Sequence, residues 1–217
     1  MRNKCIDHLR EEKMEKNKKF YIIDQKQLPN QYPTHKHAPE FWEALGRAVA
    51  TFGFLEEVLG KVIFVLTGTR PFEESEIDRA YKELLPRLER ALSDPLGGLI
   101  NSFENAVKEH PDAKKCNIKE LVKDLREASK VRNVICHGSW RIPDSAGASL
   151  PLFVNSKMKI VDTKIDCAFL YQLQKHANCL ACWVIDVVTC SGLPFPWRFG
   201  SSFDNWHKGH IKYGNKE

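Results

Sequence analysis

Residues 118–137, IKELVKDLREASKVRNVICH, are the most strongly patterned stretch of this 217-residue chain. Apolar residues recur there every three or four positions, which predicts a helix with one buried face. These residues are Ile118, Leu121, Val122, Leu125, Ala128, Val131 and Ile135. Asn117 is the predicted N-cap of this helix and Gly138 its predicted stop. The pattern therefore places a long amphipathic helix immediately before Gly138.

Three polar residues that can take part in catalysis lie at the end of this helix: Arg132, Asn133 and His137. On a regular helix His137 lies about 140° around the axis from Arg132, so convergence of the two side chains needs a local distortion or the freedom of the last turn. The same spacing recurs between Arg2 and His8, in a charged segment without helical periodicity. The position at the end of an amphipathic helix, and not the spacing, distinguishes the Arg132–His137 motif from the Arg2–His8 motif.

Further helices are predicted on both sides. The first runs from about 39 to 67, with Pro39 in its first turn and Gly68 at its end. A second covers about 77 to 92, with a break or kink around Pro86 and Pro95.

A continuation follows from about 96 to 110, and the last helix covers about 166 to 190. Between them, residues 150–154 and 158–161 predict a short β-hairpin that turns at Asn155 and Ser156. The predicted fold is mainly α: an antiparallel bundle of four to five helices, with a small β-hairpin before the last helix.

Charge and composition predict three regions. Residues 1–37 hold nine Lys and Arg against five Asp and Glu, and form a basic arm that either keeps the protein soluble or contacts nucleic acid. Residues 38–192 form the helical bundle. Residues 193–217 form an aromatic-rich tail without periodicity, which is either a strap over the bundle or a partner surface.

Other classes of protein fit the sequence less well. The N-terminal residues have no apolar stretch typical of a signal peptide, and no apolar run is long enough for a membrane span, so we expect no membrane partner and a cytoplasmic location. Of the seven cysteines, four lie in the last predicted helix, which favours reduced thiols. His176, Cys179 and Cys182 fan around a helix and do not converge on a metal, so neither a metal nor another cofactor is predicted.

The chain resembles the HEPN superfamily over about residues 39–190, because a helical bundle carries Arg132, Asn133 and His137 in an Arg-Asn-x-x-x-His motif at the end of its penultimate long helix. Many members are metal-independent endoribonucleases. The stretch of residues 53–56, which ends in Glu56, is similar to one that many of these proteins carry opposite the motif. The resemblance implies a homodimer in which two motif helices face one shared cleft.

The residue types suit this chemistry on their own. Cleavage of RNA without a metal needs a base for the 2′-hydroxyl, a cation for the phosphorane and an acid for the leaving oxygen. His137 supplies a base or an acid, Arg132 supplies the cation, and Asn133 orients the imidazole or the phosphate. The predicted products are a 2′,3′-cyclic phosphate and a 5′-hydroxyl, which suits a bacterial toxin or antiphage defence factor with a possible cognate antitoxin.

The residues around the motif leave alternatives open. Arg126, Lys130 and Arg141 either line the cleft and bind RNA or are ordinary solvated charges. Glu56 either pairs with a cation such as Arg132 or lies at the rim of the bundle. For the whole protein, the alternative is a non-catalytic HEPN-like module that binds RNA or protein, in which Arg132 and His137 stabilise the helix end.

Overall fold

The computed structural model describes residues 21, 23–76, 78–79, 82, 86, 89, 94–154 and 162–195. The chain divides into two compact units between Lys36 and His37. In the first unit, Gln25–Gln27 form a 3-10 turn, and the Asp24 carboxylate accepts the backbone N–H of Lys26 at 3.0 Å. Residues 1–20 and 22 of the predicted basic arm, including the Arg2 to His8 motif, lie outside the described residues, as do residues 196–217 of the aromatic tail.

The second unit is mainly helical, as predicted. Within its described residues the α-helices are α1 (Pro39–Gly68), α2 (Leu96–Glu109), α3 (Lys119–His137) and α4 (Cys167–Cys190). α1 packs against all three of the others, and their apolar faces form one core. The Asp166 carboxylate caps α4 by accepting the N–H of Phe169 at 2.7 Å. The predicted bounds of the first and last helices are therefore confirmed to within a residue.

The predicted second helix is described only in part. Asp78, Arg79, Lys82, Pro86 and Glu89 are helical, and the rest of residues 77–93 lies outside the described residues. The predicted break at the following proline is confirmed, because Pro95 has an extended backbone and forms the N-cap of α2.

The direction of α3 follows from its contacts. Gly97 at the start of α2 lies beside Ser129, and one turn later Asn101 accepts a hydrogen bond from Arg126 at 3.4 Å. Residue numbers therefore rise along α2 as they fall along α3, so these two helices run antiparallel. Ile118 at the start of α3 lines a groove with Cys190 at the end of α4, so α3 also runs antiparallel to α4.

The start of α3 differs slightly from its prediction. Ile118, not Asn117, occupies the N-cap position. The Asn117 side chain, one residue before the N-cap, nevertheless accepts a hydrogen bond from the backbone N–H of Lys119 at 3.3 Å. It therefore pairs one of the N–H groups that have no partner within the helix. The predicted stop is confirmed, since Gly138 is the C-cap and its N–H bonds to the carbonyl of Val134.

A small hairpin precedes α4, as predicted, but its first strand is not the predicted one. Strand β1 (Ser139–Trp140) directly follows α3 and pairs antiparallel with β2 (Pro151–Leu152), with Ser139 opposite Leu152 and Trp140 opposite Pro151. A bridge between Ser149 and Ile165 joins the hairpin to the start of α4. Two residues are too few for alternating polarity to reveal β1 in the sequence. The predicted turn and second strand, residues 155–161, lie outside the described residues.

The cysteines of the described residues are free thiols, in agreement with the prediction of reduced cysteines: Cys116, Cys136, Cys167, Cys179, Cys182 and Cys190. The last four belong to α4, where the sequence placed them. Among the helices in the described ranges, none combines the length and the apolar character that crossing a bilayer requires.

An aromatic cluster joins the start of α1 to the hairpin. His37 stacks on Phe41 with 4.6 Å between ring centroids and meets Trp42 edge-on at 5.0 Å. Phe41 in turn meets Trp140 of β1 edge-on at 5.0 Å. Neither ring nitrogen of His37 has a hydrogen-bond partner among the described residues, and burial lowers the pKa of its imidazole. His37 is therefore held as a neutral aromatic ring.

This lowered pKa predicts a loss of stability in mild acid. The unfolded chain takes up a proton on His37 near pH 6.5, whereas the folded imidazole resists protonation until a lower pH. The contribution of His37 is thus fully present above about pH 6.5 and declines as the pH falls toward the folded pKa. We expect His37→Phe, which keeps a ring in the cluster, to lose less unfolding free energy than the parent between pH 8 and pH 5.

Urea unfolding at several pH values measures this difference, and subtracting the two profiles removes the contributions of the other histidines. His176→Phe on the exposed side of α4 is the matched control and should leave the profile unchanged. Identical pH dependence in the parent and in His37→Phe contradicts the prediction.

Candidate active site

Helix α3 carries the motif through its last turns. Arg132 and Asn133 are half-buried, whereas His137, the last residue of the helix, is exposed. The helix is regular through His137, so the distortion that would bring His137 onto the Arg132 ridge is absent from this part of the chain. Within one copy, the imidazole and the guanidinium therefore leave the helix about 140° apart.

The Arg132 guanidinium is held by a carboxylate from α1. Its Nη2 atom lies 3.0 Å from Oε1 of Glu56, and only 21% of the Arg132 side chain and 25% of the Glu56 side chain are exposed. This Oε1 atom is buried and accepts no hydrogen bond from the described residues. The contact is therefore an ion pair without an aligned hydrogen bond, and of the two predicted positions for Glu56 the structure has the pairing with Arg132.

Asn133 completes the surroundings of the guanidinium. Its Oδ1 accepts a long hydrogen bond of 3.4 Å from Nη1 of Arg132. Glu56 and Asn133 both contact the guanidinium, and they leave it at the partly exposed boundary between α1 and α3. A phosphate that approached this boundary would meet the guanidinium beside the Glu56 carboxylate.

Cys136 lies next to this pair and is poorly suited to act as a nucleophile. Its thiol packs against the core. Burial raises its pKa, Arg132 opposes the rise, and Glu56 adds to it. A thiol with a raised pKa carries little thiolate at neutral pH, so Cys136 fills space as a small apolar side chain.

His137 is free to meet a ligand. In the part of the chain that the structure describes, it makes no hydrogen bond, ion pair or ring contact. The next residue holds the hairpin close to it: a Cβ on Gly138 would lie 2.6 Å from the Val134 carbonyl oxygen and 2.9 Å from Cβ of Pro151. The backbone of Gly138 is extended, with φ −70°, so glycine is required there by the close approach of the Val134 carbonyl oxygen and of Pro151, and not by a left-handed conformation.

The three cations predicted to bind RNA have different environments. Arg126 donates to Oε2 of Glu104 on α2 at 2.6 Å, and Lys130 donates to Glu127 one turn earlier on α3 at 2.5 Å. Arg141 follows β1, is exposed, and has no side-chain partner among the described residues. The first two cations each have a carboxylate partner, and Arg126 shares its partner with Lys108, whereas Arg141 has none among the described residues.

The sequence did not indicate that a strand begins two residues after His137. The close contact between Gly138 and Pro151 has no sequence signal either, because it joins residues thirteen positions apart. No protein-family model, curated protein or solved structure matches this chain.

Proposed function

We propose that this chain is a HEPN-like, metal-independent endoribonuclease that acts as a homodimer. The observation that carries the proposal is the placement of Arg132: Glu56 and Asn133 contact its guanidinium at a partly exposed boundary, on the same helix that ends in His137, which has no polar partner among the described residues. A fixed cation and a free imidazole are the two groups that metal-free transesterification of RNA requires.

The proposed reaction begins at the ribose. A neutral imidazole of His137 removes the proton of the 2′-hydroxyl, and the oxygen attacks the adjacent phosphorus. Arg132 stabilises the negative charge of the phosphorane through paired N–H donors. A second imidazole, in its protonated form, donates a proton to the departing 5′-oxygen. The products are a 2′,3′-cyclic phosphate and a 5′-hydroxyl.

A second copy of the chain supplies that second imidazole. Each copy contributes a single motif, and its Arg132 and His137 lie about 140° apart around α3. A twofold arrangement of two α3 ends would provide two guanidinium groups and two imidazoles around one cleft. In this proposal the dimer acts on RNA in the cytoplasm, as a toxin or antiphage defence factor, and a cognate antitoxin is a further partner.

The chemistry of the products tests the proposal. We expect the purified protein to cleave single-stranded RNA in the presence of EDTA and to leave 2′,3′-cyclic phosphate and 5′-hydroxyl ends, detected by mass spectrometry. The same sequence as DNA, or with 2′-O-methyl riboses, should stay intact because it lacks the nucleophile. Products with 5′-phosphate ends, or activity abolished by EDTA, contradict the mechanism.

A non-catalytic module is the alternative, and one observation favours it. The Arg132 guanidinium is mostly covered and already engaged by Glu56, as in a pair that stabilises the packing of α1 on α3. In that case intact RNA would bind or be ignored, but it would not be cleaved. The product assay separates the two functions, provided that the preparation is free of contaminating nuclease.

A further inference from the structure

The cations near the motif differ in how much charge they offer to a ligand. Arg126 is paired with Glu104 and also donates to Asn101, and Lys130 is paired with Glu127. A phosphate must compete with a carboxylate at each of these two cations, although Glu104 also pairs with Lys108 at 2.7 Å, so the Arg126 group keeps one net positive charge. Arg141 alone of the three has no anion beside it in the described part of the chain.

The hairpin holds Arg141 in a fixed position. The backbone N–H of Arg141 donates to the Leu150 carbonyl at 3.3 Å, which continues the β1–β2 ladder by one residue. Its carbonyl accepts a hydrogen bond from the hydroxyl of the fully buried Ser149 at 2.5 Å. Because Ser149 also bridges to Ile165, the backbone at Arg141 is tied to the start of α4. The guanidinium therefore extends from a rigid base.

One face of the hairpin points to solvent. Side chains alternate between the two faces of a strand, so Ser139 and Arg141 share a face with Leu152 and Leu150, the residues opposite them. Val154 follows two residues after Leu152, just beyond β2. Ser139 and Arg141 are exposed, and Leu152 and Val154 are 41% and 45% exposed. The opposite face packs inward through Trp140 and Phe153. We call this solvent-facing set, Ser139, Arg141, Leu152 and Val154, the outer hairpin face.

The outer hairpin face combines an apolar surface with an uncompensated positive charge. The carboxylate of Asp144, the nearest acidic residue after Arg141 in the chain, is already paired with Lys164 at 2.7 Å. An anionic ligand with flat apolar groups, which is the character of an unpaired nucleotide, complements such a surface.

We propose that the outer hairpin face binds the single-stranded RNA next to the scissile bond. Arg141 contacts the phosphate adjacent to the one that is cleaved, and Leu152 and Val154 pack against the ribose or base of that nucleotide. RNA then passes from the end of α3 across the hairpin and not along the Arg126 and Lys130 side of α3. This inference rests on the proposed function, because it takes the bond beside His137 as the one that is cleaved.

Binding of a non-cleavable RNA tests the inference. The probe is a fluorescein-labelled single-stranded RNA with 2′-O-methyl riboses, and fluorescence anisotropy gives its Kd at several salt concentrations. We expect Arg141→Gln to weaken binding about tenfold and to lower the salt slope by about 0.7, the value of one lost phosphate contact on a single strand. Arg126→Gln and Lys130→Gln are matched controls and should change Kd less than about twofold.

The apolar half of the face needs its own variant. We expect Leu152→Ser to weaken binding about threefold, with an unchanged sedimentation coefficient and an unchanged circular dichroism spectrum. If Arg141→Gln binds as the parent does, or if Arg126→Gln is the weaker binder, the proposal is wrong. A Leu152→Ser variant that changes the oligomeric mass but keeps RNA affinity also overturns it, and assigns the face to a contact between copies.

The binding assay tests the RNA surface and the product assay tests the nuclease, so either proposal can be wrong without the other. A parent that binds the probe through Arg141 but leaves ordinary RNA uncut disproves the nuclease and keeps the RNA surface. A parent that cuts RNA while Arg141→Gln binds normally keeps the nuclease and disproves the surface. A parent that does not bind the probe overturns the surface, whatever the cleavage result.

Discussion

Replacement of His137 by alanine is expected to slow RNA cleavage by roughly 10³-fold, the loss typical of a general acid or base. The same change should alter the free energy of unfolding by less than about 0.5 kcal/mol, because the side chain is exposed and makes no hydrogen bond, ion pair or ring contact within the described residues. In the dimer both imidazoles are lost at once, since each copy supplies one. Initial cleavage rates and urea unfolding of the same preparation measure the two quantities.

Unfolding is best measured at pH 8, where histidine side chains in general carry little charge and contribute little to the helix dipole. Cleavage is best measured near pH 7, because the proposed mechanism needs one neutral and one protonated imidazole. His176→Ala is the matched control, since His176 is another exposed histidine on a long helix. It should change neither the cleavage rate nor the stability. If His137→Ala cleaves at the parental rate, the imidazole has no part in the reaction.

A stability loss of about 1 kcal/mol or more in His137→Ala, with RNA affinity unchanged and no cleavage in the parent, fits the alternative function. His137 would then be a helix-terminal residue whose role is structural. The exposure of His137 argues against a large contribution to the free energy of unfolding, because replacing an exposed side chain removes little packing. The two functions therefore predict opposite combinations of rate and stability.

The sequence predicts the helices well because their signal is local and repeated. α3 has seven apolar residues at helical spacing, and the end at Gly138 is marked by a single residue type. The pairing of Glu56 with Arg132 was one of two alternatives, since periodicity places both residues at the edge of the core but does not set the rotation of one helix against another. That rotation depends on how the side chains of α1 and α3 interlock.

The sequence predicts only part of the environment of Arg126, Lys130 and Arg141. Glu127 precedes Lys130 by three residues, so their pairing on one helix could have been predicted from spacing alone. The partner of Arg126 is Glu104 on α2, twenty-two positions away, and no local rule connects them. The free state of Arg141 is likewise a tertiary property, because it depends on which carboxylates the fold brings to the hairpin.

No local pattern in the sequence indicates the role of His110, which follows the last residue of α2. The side chain is 1% exposed and lies at the meeting point of α2, the end of α1 and the 3-10 turn Ala113–Lys115. Its Nδ1 atom accepts the backbone N–H groups of Asp112 and Ala113 at 3.3 and 3.4 Å. Because Nδ1 faces two donors, the ring proton is on Nε2, which lies 3.3 Å from Oγ1 of Thr69, the C-cap of α1.

We expect His110→Ala to lower the free energy of unfolding by about 3 kcal/mol, measured by urea denaturation at pH 8. The change removes a buried ring, which leaves a cavity, and it removes the acceptor of two backbone donors, of which that of Ala113 is buried and that of Asp112 is part-buried. His110→Asn should recover part of the loss, because the side-chain oxygen of asparagine reaches the place of Nδ1 although the ring volume is missing. His176→Ala again serves as the exposed control. A loss below about 1 kcal/mol in His110→Ala would mean that water replaces the ring and its hydrogen bonds at little cost, and that α1 and α2 hold their relative position without this histidine.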